Sequence, residues 1–224
     1  VDPTQHLLVA TLVFIATHFV TSTPLRRLLV GAIGEKPYLG LYTLVSFVTL
    51  GWMSVAYANA PAEAPLWEPL RWLPKIVMPF AFVLLTCGYF RNPTMVMAEG
   101  LLKSADPARG MIRITRHPIM WAIMLWAIVH IVARADITAI IFYGGLLFVA
   151  ATGTLLMDAR KAGSAGEDWK RFTAVTSHLP FVAIAQGRNH LALGEIGWLR
   201  PAIGLVLYAV LMATHGWLFG ARPY

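Results

Sequence analysis

Apolar residues arrive in this chain as blocks approaching twenty in length, and no other feature restricts its fold as severely. A helix rises about 1.5 Å per residue and a bilayer's hydrocarbon core is roughly 30 Å thick, so about 20 residues are needed to cross it. A soluble domain carries narrower apolar stripes, interleaved with polar residues. Six blocks can be drawn, at roughly 6–22, 39–58, 74–90, 118–133, 137–157 and 199–219. With 58% of 224 residues hydrophobic and 13% charged, the expectation is an all-α integral membrane bundle of about six transmembrane helices, forming a single domain over residues 1–224. The fourth block, opened by Pro118 and closed by Arg134 and Asp136, holds only about 16 residues and reads as an arm that stops short of the far surface.

A formal net charge of +7 would point to nucleic acid in a soluble protein. Here the cations occupy short connections between apolar blocks, which is membrane topology, and no nucleic acid partner is expected. Arg26, Arg27 and Lys36 follow the first block. Arg91, Lys103, Arg109, Arg113 and Arg116 follow the third, and Arg160, Lys161, Lys170, Arg171, Arg188 and Arg200 follow the fifth. The opposite face holds Arg71, Lys75, Arg134 and Arg222. The positive-inside rule therefore places both termini in the periplasm of a bacterial inner membrane and the basic loops in the cytoplasm. The first block lacks a basic segment before it and reads as a retained helix. Residues 158–198 form the longest polar stretch, and Glu167 to Phe172 predicts a short amphipathic helix on the cytoplasmic membrane surface. The single cysteine, Cys87, rules out an intramolecular disulfide and reads as a packing residue.

Ionisable groups at membrane depth are costly unless they meet a cavity, a partner or a metal, which singles out His18 in the first block and His130 in the fourth. Two imidazoles on different helices, with no cysteine or carboxylate cluster beside them, suit axial ligation of haem iron better than a tetrahedral zinc site. A plain hydrogen bond to a neighbouring helix would account for either histidine as well. A second constellation runs Arg113, Thr115, Arg116, His117, Pro118, where a basic loop meets a helix start and makes an anion-binding corner, unless its arginines simply answer lipid phosphates. Asp158, ending the fifth block, is placed to pair with that corner. His178, between Ser177 and Leu179, is a weaker candidate. His6, His190 and His215 lie near helix ends or in loops, where solvation explains them, and the tryptophans read as interfacial anchors.

Taken in order, His18 with Ser22 to Arg27, Leu66-Trp67, Arg116-His117-Pro118 with Met120-Trp121, Leu125-Trp126-Ala127 with His130, Thr176 to Ile184, Gly187-Arg188 and His215 to Gly220 resemble the NnrU family over nearly the whole chain. NnrU proteins are bacterial membrane proteins associated with denitrification gene clusters, and they are similar to 15-cis-zeta-carotene isomerase of plants and algae, in which a b-type haem drives isomerisation of a carotenoid double bond. The resemblance implies haem b as cofactor, His18 and His130 as its ligands and catalytic residues, and an apolar polyene as substrate. Two departures stand out. Ala127 occupies the place of a cysteine implicated in ligand change, and a histidine expected after the second block is replaced near Asn59, so haem binding is expected without redox ligand exchange. His18 falls in the inner half of its block and His130 near the outer end of its own, so the two reach one haem only if the fourth helix tilts or re-enters.

Arg116, His117 and Pro118, with Asp158 near the place of an acidic pair, also resemble the isoprenylcysteine and phospholipid methyltransferases. That likeness implies S-adenosylmethionine as the alternative cofactor, held by Arg116, His117 and Asp158. A third possibility is a non-enzymatic NnrU-type accessory or haem-handling protein in denitrification.

Overall fold

The computed structural model describes residues 2–61, 63–95 and 98–220, and Arg222 lies outside them. Among the described residues the fold is all-α: α1 Pro3–Phe19, α2 Pro24–Ile33, α3 Glu35–Ala58, α4 Leu73–Gly88, α5 Pro118–Arg134, α6 Ile137–Ser164, α7 Gly166–Ala174, α8 Val182–Ala185, α9 Leu193–Ile196 and α10 Leu199–Phe219. The six expected blocks are all helices. Three of them, α3, α6 and α10, are long and apolar enough to cross a bilayer. The pair α1 and α2 makes a fourth if it counts as one span broken by a 69° bend, whereas α4 and α5, at 16 and 17 residues, fall short of the roughly 20 that 30 Å requires. The long apolar helices make this a multi-pass membrane protein by composition, with six apolar helices of which three or four are full-length spans.

Helix starts follow from local chemistry. Asp2 accepts hydrogen bonds from the backbone N–H groups of Thr4 and Gln5 at 2.8 and 3.0 Å, and Pro3 supplies a pre-set φ where no N–H is needed. Prolines likewise open α2, α4 and α5.

The contacts divide the chain into two compact units, residues 1–70 with 127–153 and residues 71–126 with 154–224. In the first, α1 and α3 pack antiparallel: His6 meets Trp52 at one end, where the indole N–H donates to the imidazole at 2.8 Å, and His18 meets Tyr42 at the other. Leu7, Ala10 and Phe14 of α1 and Met53 and Ala56 of α3 are buried, while Leu44, Phe47, Val48 and Val55 stay 60 to 69% exposed. A contiguous exposed apolar face of this size suits contact with lipid.

In the second unit α4 and α10 pack antiparallel through a small residue. A Cβ on Gly204 would stand 2.8 Å from the Phe82 carbonyl oxygen and 2.7 Å from the Thr86 hydroxyl, so only glycine permits this approach. The closeness has a use. Pro79 inside α4 cannot donate to Lys75 four residues earlier, and the Tyr208 hydroxyl of α10 donates to that carbonyl at 3.2 Å instead. Thr86 of α4 donates to the Arg200 carbonyl at 3.0 Å. With no water in hydrocarbon, such bonds must come from neighbouring helices.

The segment expected to lie on the membrane surface does form an amphipathic helix, α7. Its apolar face packs on protein: Trp169 and Phe172 are buried with Leu102, Ala108 and Ile112. Two aromatic rings buried together against aliphatic side chains bury more apolar area than a half-immersed helix would. Cys87 is buried with Met111 and Ile114, as a packing residue should be.

Replacing Gly204 by alanine should separate α4 from α10 and cost about 1 to 3 kcal/mol. Gly51→Ala, where nothing lies within 4 Å of the new Cβ, should be neutral or slightly stabilising. Thermal unfolding of the two variants in one detergent checks this; equal midpoints would mean that the α4–α10 contact is not tight.

Candidate functional site

The structure draws together one of the two constellations that the sequence singles out. Thr115 closes a turn by accepting a hydrogen bond from the His117 N–H at 3.3 Å, and Pro118 starts α5 immediately afterwards. The side chains of Arg116 and His117 then meet one carboxylate, Asp158 of α6. His117 Nε2 lies 2.7 Å from Asp158 Oδ1, and Arg116 donates to Oδ2 through Nε at 2.8 Å and Nη2 at 2.6 Å. His117 is 2% exposed, and the two members of the ion pair are 15 and 16% exposed by side chain. The expected anion-binding corner therefore contains its own anion. Because a carboxylate accepts and never donates when ionised, His117 Nε2 carries a proton toward Asp158. Its Nδ1 is buried without a hydrogen-bond partner.

The residues from 176 to 181 complete this cluster, and sequence reasoning undervalued them. Arg116 N–H donates to the Ser177 carbonyl at 3.0 Å and Phe181 N–H to the Ile114 carbonyl at 2.8 Å. The His178 carbonyl receives two donors, the Thr115 hydroxyl at 2.7 Å and the Trp121 indole at 2.8 Å. The imidazole of His178 lies 5.5 Å from that of His117, centroid to centroid, and its Nε2 hydrogen-bonds Thr154 Oγ1 at 2.6 Å. Nothing in the spacing of Ser177, His178 and Leu179 announces this, because the partners come from α5 and α6, dozens of residues away. The shared Arg-His-Pro and Thr-Ser-His segments were the available signal: two polar motifs in an apolar chain need partners, and here they partner each other. Trp121 is correspondingly a hydrogen-bond donor in this cluster.

The other constellation is dispersed among aromatic rings of the first unit. His18 sits in the last turn of α1, its ring 4.1 Å from Phe14 and 5.8 Å from Tyr42 by centroid. Its Nδ1 lies 2.7 Å from the Phe14 carbonyl oxygen. A carbonyl only accepts, so Nδ1 holds the proton and, in the neutral imidazole, Nε2 holds the lone pair. His130 lies one turn before the end of α5, 5.1 Å from Tyr143, whose ring in turn lies 5.7 Å from Tyr57. Tyr42 and Tyr57 are separated by fifteen residues of α3, about 22 Å of helix rise. Among the described residues no group of three or more His, Cys, Asp or Glu converges in a way that would hold a metal ion.

Burial, and the nearby His117 and Arg116, hold the His178 imidazole below its ordinary value near 6.5, against the opposing pull of Asp158. A depressed histidine is neutral in the fold and gains a proton more readily unfolded, so its contribution to stability is present above about pH 6.5 and lost as the pH falls through its folded value. Wild-type protein should therefore lose thermal stability between pH 7.5 and pH 5, and His178→Gln should flatten that slope. Removing the shared carboxylate with Asp158→Asn should cost about 2 to 3 kcal/mol, since it leaves Arg116 half-buried without its counter-ion. An unchanged unfolding midpoint in that variant would mean that the cluster does not hold this unit together.

Comparison with known proteins bears on what these residues do. The chain is 26% identical to the chloroplastic 15-cis-zeta-carotene isomerase of Zea mays over 97% of its own length. It is 26% identical to the Arabidopsis thaliana enzyme over 85% of its own length. It spans 59 and 53% of those two relatives. No solved structure matches. The family model described as NnrU protein matches residues 6–223, which takes in His18, His130 and the whole polar cluster: the chain belongs to the NnrU family.

Proposed function

We propose that this protein is a haem-b membrane protein that isomerises a double bond of a long apolar polyene, with His18 as an iron ligand. The observation that carries this is the His18 side chain. Its Nδ1–H is spent on the Phe14 carbonyl at 2.7 Å, which fixes both the tautomer and the ring plane and puts the ring's lone pair on Nε2, a pattern that metal-ligating imidazoles share. The donor chemistry fits haem: a neutral imidazole on a membrane helix, among aromatic rings, without a carboxylate or thiolate cluster beside it. The family resemblance also implies His130 as a ligand; it packs on Tyr143 beside Tyr57, about 22 Å of α3 rise from the Tyr42 that touches His18, so His18 alone is assigned. The 26% identity to zeta-carotene isomerases supports the substrate class.

Haem b, when bound, supplies an iron centre whose electronic change lowers the barrier to rotation about a conjugated double bond. The chain supplies the rest. Phe14, Tyr42, Tyr57 and Tyr143 offer flat apolar faces of the kind on which a polyene packs. The exposed apolar faces of α1 and α3 let a lipid-dissolved substrate arrive without crossing water. Ala127, buried on α5, has no sulfur to exchange for an imidazole, so ligation by His18 does not alternate with a thiolate.

S-adenosylmethionine is less well supported. Arg116, the cation that would meet the cofactor's carboxylate, already donates twice to Asp158. An accessory role in denitrification shares the haem site and differs only in lacking turnover.

Protein purified from haem-replete cells should show a Soret band that shifts with dithionite. His18→Ala should lose it, His130→Ala should lose or shift it, and His178→Ala should keep it. A colourless folded wild type, or an unaltered band in both ligand variants, sinks the haem assignment. A coloured protein that leaves 15-cis polyenes unchanged in liposomes removes the isomerase and retains the accessory role.

A further inference from the structure

A second set of arginines, away from the polar cluster at Asp158, surrounds a cleft in the second unit where α4 ends and α10 begins. Arg91, Arg109 and Arg200 line it, together with Glu195, Cys87 and Met111. Glu195 spends its shortest contacts on Arg113 and Gly110 instead of on those three arginines. Its Oε2 accepts from the Gly110 N–H and from Arg113 Nε, each at 2.8 Å, and its Oε1 accepts from Arg113 Nη2 at 2.8 Å. Arg113 is itself buried; its Nη2 also donates to Asp106 at 2.6 Å, and its Nη1 donates to Asn189 at 2.9 Å. The doubly paired guanidinium holds the Glu195 carboxyl down to about 2, so it stays ionised and committed to Arg113. Arg109 approaches Glu195 only at 3.7 Å. Among the described residues four cations, Arg91, Arg109, Arg113 and Arg200, thus face two carboxylates, Glu195 and Asp106, a surplus of two positive charges beside the cleft.

Three details suit this cleft to an anion. Arg200 lies with its guanidinium carbon 4.8 Å from the centroid of the Phe90 ring, a stacking that holds it in place without using its N–H donors. Arg91 sits in the left-handed region at φ 52°, a conformation that a non-glycine residue adopts at some cost and that persists where something over-determines it. Phe90 lines the cleft, and Tyr89, Trp198 and Leu199 lie at the same helix ends, all four 48 to 79% exposed. Large exposed aromatic side chains at the ends of two apolar helices mark the level of lipid headgroups. Guanidiniums in a fork geometry match phosphate oxygens, and phosphate is the anion that lipid headgroups present at that level.

We infer that this cleft binds the phosphate of an anionic membrane phospholipid. The lipid's acyl chains lie along the exposed apolar faces of α4 and α10, and its phosphate accepts hydrogen bonds from Arg91, Arg109 and Arg200. A soluble phosphate carries the same chemistry but has no use for the exposed aromatic side chains.

The experiment uses the full chain in phosphatidylcholine nanodiscs or mild detergent. Phosphatidylglycerol is titrated in, and retained lipid is counted by native mass spectrometry alongside the thermal unfolding midpoint. Wild-type protein should retain phosphatidylglycerol saturably and phosphatidylcholine weakly. The double variant R91Q/R200Q should bind at least about tenfold more weakly, the loss expected for two charge-assisted hydrogen bonds. R71Q removes one charge outside the cleft and should bind as wild type does. If the double variant does not fold, R109Q, whose side chain is 49% exposed, carries the same comparison. Equal retention of the two lipids, or equal weakening by R71Q, overturns the site as nonspecific attraction. Saturation by inorganic phosphate alone, with no further stabilisation by phosphatidylglycerol, overturns the lipid and makes the ligand a soluble phosphate.

Discussion

Polar groups in this protein have to be satisfied by the protein itself, because the surroundings of its long helices offer no water. The rule reaches the smallest side chains. Thr17, Thr43, Ser46, Thr49, Ser54, Thr86 and Thr214 each donate to a carbonyl one turn back along their own helix. His18 does the same with its ring nitrogen. Where a group is too large or too charged for that solution, it is matched by a partner from another element, as Asp158 is by Arg116 and His117 and as Lys75's carbonyl is by Tyr208.

This constraint separates two kinds of polar residue that look alike in a sequence. Arg113 and Arg116 both stand in a basic loop, yet each is anchored to carboxylates from distant parts of the chain and serves to tie loops and helices together. Among the described residues, Arg109 has only a 3.7 Å contact to a Glu195 already committed to Arg113, and Arg91 and Arg200 stand with it around the same cleft. Pairing geometry, and not charge alone, distinguishes the structural cations from those placed to meet a ligand.

The fold was largely legible from the sequence because hydrocarbon thickness imposes a length and a composition that few other environments demand. All six apolar blocks became helices, and Pro118 opened α5 as a first-turn proline should. What was not legible was span length. α4 and α5 are too short to cross alone, and α2 was hidden because Pro24 to Ile33 mixes arginines with exposed leucines and belongs to neither a clean apolar block nor a polar loop. The amphipathic helix α7 was correctly located, but periodicity reports that a face is apolar without saying whether lipid or protein covers it. Arg116, His117 and Asp158 were read together from their common face of the membrane and were found together. His178 was undervalued because its partners, Thr115, Trp121 and Thr154, lie on other elements.

The sequence alone determined that this chain forms apolar helices, which residues among them are costly to bury, and which family it joins, since each of these follows from residue type and order. Tertiary structure alone decided which costly groups neutralise one another. A carboxylate's partner is chosen by a few ångströms of distance after the helices have packed, and neither spacing along the chain nor the sign of a charge encodes that distance.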